Sequence, residues 1–98
     1  MSKLIRNPVG VELVQETTLS GFRDWFIHRF GGLDQLPQVF VDLLNKPEVL
    51  LAPLLDELQP GDKLWLCRSL KIGVLYGHEG IALVRDRQPL IYLRVIDY

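Results

Sequence analysis

Ninety-eight residues with a formal charge of −1, 48% apolar and 9% aromatic side chains describe one domain with a real core. They exclude a disordered chain, which would combine low hydrophobicity with high net charge. Lysine and arginine are spread along the chain, which argues against nucleic acid as a partner, since such binders carry a basic patch to exchange for phosphate counterions.

A folded chain of this length buries roughly 60–70% of the surface its unfolded form exposes and needs no covalent staple. Cys67 is the single cysteine, so no intramolecular disulfide can form. Residues 1–10 lack the apolar core of a secretory leader. No run approaches the roughly 18 apolar residues of a membrane span. A cytoplasmic protein with no membrane partner is expected.

In chain order, Val9–Glu16 sets Val9, Val11 and Leu13 against Gly10, Glu12 and Val14, the period of a half-buried strand. Pairing with a C-terminal sheet would bring the two ends of the chain together. Ser20 is the expected cap of a helix running to about Phe30, stopped by Gly31-Gly32. Phe22, Trp25, Phe26 and Phe30 share one face of it and form a core anchor. Each such burial is worth roughly 1.5–3 kcal/mol.

Asp34 is the expected cap of a second helix, with Pro37 in its first turn. Leu36, Val39, Phe40, Leu43 and Leu44 fall at i, i+3, i+4, i+7 and i+8, the clearest amphipathic spacing in the chain. Asn45-Lys46-Pro47 ends it. Glu48–Leu58 is helix-rich, but Pro53 cannot sit inside a continuous helix, so a bend or a fresh start there is expected. Pro60-Gly61 then turns the chain into a sheet.

The sheet strands are expected at Leu64–Arg68, Ile81–Arg85 and Leu90–Ile96. On the last, both faces carry large apolar groups, so both need covering. Helices can cover one. A second copy or the N-terminal segment can cover the other.

Three constellations invite a chemical reading. The run Gly73-Val-Leu-Tyr-Gly77-His-Glu-Gly80 has the glycine density of a phosphate cradle, but no Lys-Ser or Lys-Thr follows it and a strand does. Glycines shaping a connection fit better. His78 and Glu79, flanked by glycines, are expected to be exposed. Consecutive residues of an extended chain point to opposite sides, and a catalytic role would need a third member. Cys67 sits between Leu66 and Arg68 on an expected strand, where a thiol is buried and inert. Two histidines and one cysteine lack paired zinc-ligand spacing, so no metal and no cofactor are expected, and catalytic residues are assigned to none.

Arg68, Arg85 and Arg94 each fall within an expected strand and could share a face that binds an anion, or snorkel at sheet edges. Trp65 and Tyr92 are expected to pack.

At Gly61-Asp62-Lys63-Leu64-Trp65 and Gly77-His78-Glu79-Gly80-Ile81-Ala82-Leu83-Val84-Arg85, the last third of the chain resembles a group of small bacterial proteins of unassigned activity with the pattern GDxLW…GxxGxALVR. The resemblance implies a shared small sheet with a C-terminal hairpin, and no activity.

The expected architecture is a single α+β domain spanning residues 1–98, with two or three helices packed on a three- or four-stranded, mainly antiparallel sheet. The expected function is a non-catalytic protein-interaction or regulatory module. A terminal edge strand would let it self-associate through Leu90, Tyr92, Arg94 and Ile96; an inhibitor of a partner enzyme belongs to the same class. The alternative is a small-molecule or anion binder, conceivably an enzyme, using Arg68, Tyr76, His78, Glu79 and Arg85.

Overall fold

In the computed structural model, residues 3–70 and 77–97 are described. In chain order they form β1 (Lys3–Arg6), β2 (Val11–Thr17), α1 (Leu19–Arg29), a 3-10 turn (Leu33–Gln35), α2 (Gln38–Leu44), α3 (Pro47–Leu50), α4 (Ala52–Leu55), β3 (Lys63–Ser69), β4 (His78–Arg85) and β5 (Gln88–Asp97). The α+β class is as expected. The counts are larger: five strands and four helices, because β1 is a fifth strand and the helical run divides at its prolines.

Local chemistry sets the helix ends. Thr18, not Ser20, caps α1: its extended backbone turns the side chain to accept from the Gly21 N–H at 3.1 Å. At the other end, the Gly32 N–H returns to the Ile27 carbonyl at 3.0 Å, and Gly31 and Gly32 both take positive φ. Asp34 lies in the 3-10 turn, and Pro37 occupies the cap of α2. Pro47 and Pro53 stand in the first turns of α3 and α4, where a missing N–H costs nothing.

The strands make one antiparallel sheet in the order β1-β5-β4-β3-β2. The C-terminal strand is therefore not an edge. β1 and β4 flank β5 on either side, which corrects the expectation of a free terminal strand. β4 and β5 are joined by the two-residue turn Asp86-Arg87, both at positive φ, the backbone pattern of a type I′ hairpin.

β1 and β2 are consecutive in sequence yet stand at opposite edges, joined only by residues 7–10. Edge strands of a flat five-stranded sheet would lie about 19 Å apart, and β2 also starts at the far end of the sheet, beside Ser69. Five residue steps reach at most about 18 Å. The sheet must therefore roll up. The link itself shows how: the Asn7 N–H still bonds Leu90 of β5, and the Gly10 carbonyl already accepts from Leu70 beyond β3, both at 2.8 Å.

Residues 3–17 thus behave as one bent strand that leaves β5 and joins β3. Following the pairing from Ile5 through Tyr92, Ala82 and Trp65 leads to Glu16, eleven residues further along the same run. Such a stagger is the mark of a small barrel.

Burial follows from that curl. Inside the barrel, Tyr92, Cys67, Ala82 and Val84 are buried, with Ile5 of β1 and Val11 and Leu13 of β2 packed on the same cluster. The second sheet face is covered in part by the chain's own N-terminal run. On the outer face, Leu64, Leu66, Ile81, Leu83, Ile91 and Leu93 meet Phe22 and Phe26 of α1, Leu51, and Leu54 of α4. The helices α3 and α4 bring Leu51 and Leu54 down to the sheet, while α2 packs on α3 instead.

Candidate functional site

At the lower mouth of the barrel the strand β4 starts at His78, so His78 and Glu79 belong to a strand and are half-buried. The expectation of an exposed loop pair is corrected. The expectation of opposite orientations holds: His78 turns inward, its Nδ1 2.9 Å from the Tyr92 hydroxyl, while Glu79 turns outward to an ion pair with Arg29 of α1. Tyr76 lies outside the described residues, as does the glycine run up to it.

Burial lowers the His78 pKa, and the Arg94 charge lowers it further against the opposing effect of Asp97. A neutral imidazole can accept the phenolic proton at Nδ1. Tyr92 is fully buried, and burial is the main cause that raises its pKa. The pair therefore serves to satisfy a phenol at the barrel mouth. The Ser69 hydroxyl adds a bond from the His78 backbone N–H at 3.1 Å.

Gly80 has a separate constraint. A Cβ built there would come within 2.0 Å of the Leu93 carbonyl oxygen, because β5 bulges toward β4 at this step. Gly77 supplies the positive φ that leads into the strand. Gly77 thus has the connecting role expected of it, whereas Gly80 lies inside β4 and serves the close approach of β5.

The three strand arginines do not converge. Arg68 pairs with its cross-strand neighbour Glu12. Arg94 pairs with Asp97. Arg85 stands at the opposite end of the sheet, bonded through two nitrogens to the buried carboxylate of Asp62 at 2.8 and 2.9 Å. That bond, with a second from the Gln59 N–H, lowers Asp62 to about 2. Arg85 also lines a groove of about 500 Å³ with Arg6, but Arg6 is held by Glu57 in the same two-pronged way. Each of these cations already has a carboxylate.

The expected interface residues divide in the same manner. Tyr92 is inside the barrel, Leu90 packs with the helix-side core, Arg94 is paired, and Ile96 is half-buried beside Glu79. Bulges on either side of Ile91–Leu93 break the alternation, so the four do not form one surface. Cys67 is buried, and burial lifts its thiol to about 12, the inert form expected. Among the described residues no group of three or more His, Cys, Asp or Glu side chains could hold a metal ion, and no helix is long and apolar enough to cross a membrane.

The surface that stands out is on the helices. The spacing of Leu36, Val39, Phe40, Leu43 and Leu44 predicts a core-facing helix, but only Leu36 and Leu44 are buried. Val39 is 61% exposed, Phe40 44% and Leu43 38%. The cause is steric: α1 and α4 already lie against the sheet, and a seven-residue α2, begun after Pro37 and followed by Pro47 of α3, packs on α3. Phe30, Leu33 and Val49 add to the exposed group.

Phe30, Phe40, Leu43, Val39 and Val49 are continuous. Phe26 stacks on Phe30 at 4.8 Å and on Phe40 at 6.4 Å. A pit of about 110 Å³ opens between Phe30, Phe40, Leu43 and Val95 above Phe26 and Leu44. Leu43 also borders a shallow depression of about 520 Å³ with Val39, Val49, Asp42 and Lys46. Sequence reasoning found the apolar stripe and assigned it to the core; nothing in its period says what covers it.

No family model, curated protein or solved structure matches the chain.

Proposed function

We propose that this chain is a non-catalytic protein-interaction module whose docking surface is the apolar face of α1, α2 and α3. The observation that carries it is the cluster Phe30, Leu33, Val39, Phe40, Leu43 and Val49, all large, apolar and exposed within one stretch of twenty residues. A connected apolar patch of this kind marks a partner surface, whereas single exposed leucines do not.

The shape of the surface favours a protein over a small molecule: the larger depression beside Leu43 is shallow and open, and the one recess that enters the apolar cluster is small. Ligand sites enclose roughly 300–1,000 Å³; a pit of about 110 Å³ has room for one apolar side chain. An anchor side chain seated in a pocket rimmed by aromatic groups is the usual centre of a protein interface. The helical surface takes the place of the strand surface expected from the sequence; the class of function is the same.

A photo-crosslinking residue placed at Phe40 in the living cell tests this. Covalent protein adducts are expected from position 40 and not from Leu4, an exposed apolar residue on β1, and Leu43→Lys should abolish them. Absence of adducts at position 40, or adducts indifferent to Leu43→Lys, would overturn the reading.

A further inference from the structure

We infer that the groove beside Arg6 and Arg85 binds a small zwitterion with an apolar body, an apolar amino acid or a short apolar peptide. Its carboxylate lies on the two arginines and its ammonium on Asp56 and Glu57. The site is separate from the helical face of the proposed function and does not depend on it.

The groove follows from where α4 ends. That helix packs on β4 and β5 and stops at Leu55. Between the residues after it, the end of β1 and the β4–β5 hairpin lies a space of about 500 Å³. Its floor is apolar and reaches the core: Leu83 and Ile91 are buried, and Leu90 beside them is half-buried. The depression on α2 has no such floor, since every residue that lines it is exposed. An apolar floor with a few polar groups above it is the usual build of a small-molecule site.

The rim carries two charges of each sign, Arg6 and Arg85 against Asp56 and Glu57. A simple anion would meet both carboxylates there, and a simple cation both guanidinium groups. A ligand that carries both signs complements this rim.

The two arginines are held differently. Arg85 is anchored through Nε and Nη2 to the buried carboxylate of Asp62. That leaves its Nη1 edge for a second carboxylate, with the plane of the guanidinium already fixed. Arg6 and Glu57 bond one another with both side chains largely exposed. Such a pair is worth little in water and exchanges readily. Opening it gives the ligand a guanidinium for its carboxylate and a carboxylate for its ammonium, so one exposed ion pair is replaced by two.

Both cations bear on the spot that Glu57 now takes. The bond from Arg6 is the main cause that lowers the Glu57 pKa, and the charge of Arg85 lowers it further. Asp56, exposed and next in the chain, supplies the second acceptor for the ammonium.

Amide NMR spectra of the isotope-labelled full chain, titrated to tens of millimolar with L-leucine or with L-leucyl-L-alanine, test this. Saturable shifts are expected at Asn7, Gln59 and Leu90, and not at Val39 or Leu43 of α2. The tighter of the two ligands tells a free amino acid from a short peptide. N-acetyl-L-leucine, which lacks the ammonium, and L-leucinamide, which lacks the carboxylate, should each bind about tenfold more weakly or worse. Arg6→Gln and Asp56→Asn should each weaken L-leucine or the dipeptide by a similar factor. Both changes are on the surface, and the spectrum of each variant checks that the fold is intact.

Absence of saturable shifts at the groove with either ligand would overturn the inference. So would equal binding of L-leucine and either of its blocked forms, or an affinity unchanged in either variant.

Discussion

The imidazole of His78 and the hydroxyl of Tyr92 meet at 2.9 Å across the β4–β5 ladder, the one on the rim of the barrel and the other wholly inside it. Their relation is asymmetric. Tyr92→Phe removes a donor together with its need, and should cost about 0.5–1.5 kcal/mol. His78→Ala leaves a buried phenol without this partner and should cost about 1–3 kcal/mol. The pair also has a pH signature. Because the folded protein holds the His78 pKa below its ordinary value near 6.5, the unfolded chain binds more protons as pH falls, and stability declines with it. The His78 contribution is complete above pH 6.5 and erodes below. Thermal unfolding from pH 8 to 5 should show this slope in the wild type and a reduced one in His78→Gln; equal slopes would refute it.

Gly80→Ala places a methyl group against the Leu93 carbonyl. The contact is with backbone, so no side chain can swing aside. The expected loss is about 1–3 kcal/mol, seen as a lower denaturant midpoint. An alanine variant as stable as the wild type would mean that the β4–β5 bulge is free to relax.

Arg87 takes a φ of 63° in the hairpin turn, a conformation that strains any residue with a Cβ. Arg87→Gly removes the strain, and the added freedom of glycine in the unfolded chain offsets only part of the gain. A net stabilisation of about 0.5–1 kcal/mol is expected. A loss of stability would show that the arginine side chain contributes more to the folded state than its backbone costs.

The three C-terminal strands were legible because each has several alternating or continuous apolar positions between turn residues. Strand geometry also gave the opposite orientations of His78 and Glu79. β1 was not legible: Lys3-Leu-Ile-Arg6 is too short to display a period, and its partner lies at the other end of the chain. Val9 belonged by period to a strand, yet it is 91% exposed in the bend, because the chain there is crossing between edges. For α2 the period revealed an apolar stripe and could not reveal that neighbouring helices had already taken the sheet. The arginines were placed on the right strands, but their partners Glu12, Asp62 and Asp97 depend on register, bulges and loop return, which no local pattern encodes.

The bent run at residues 3–17 also bears on how the molecule assembles. Lys3 finds its place opposite Arg94, so β1 waits for β5, some ninety residues later, before its hydrogen bonds can close. Contacts of such long sequence separation lower the folding rate, since the loop entropy is spent before the contact is gained. While the chain is being made, β2 and β3 can pair and the helices can dock, but the inner cluster around Tyr92 stays open until β5 emerges and β1 folds back over it. Closure of the barrel thus waits for β5, and a nascent chain halted before residue 88 would hold β1 without the strand it pairs with.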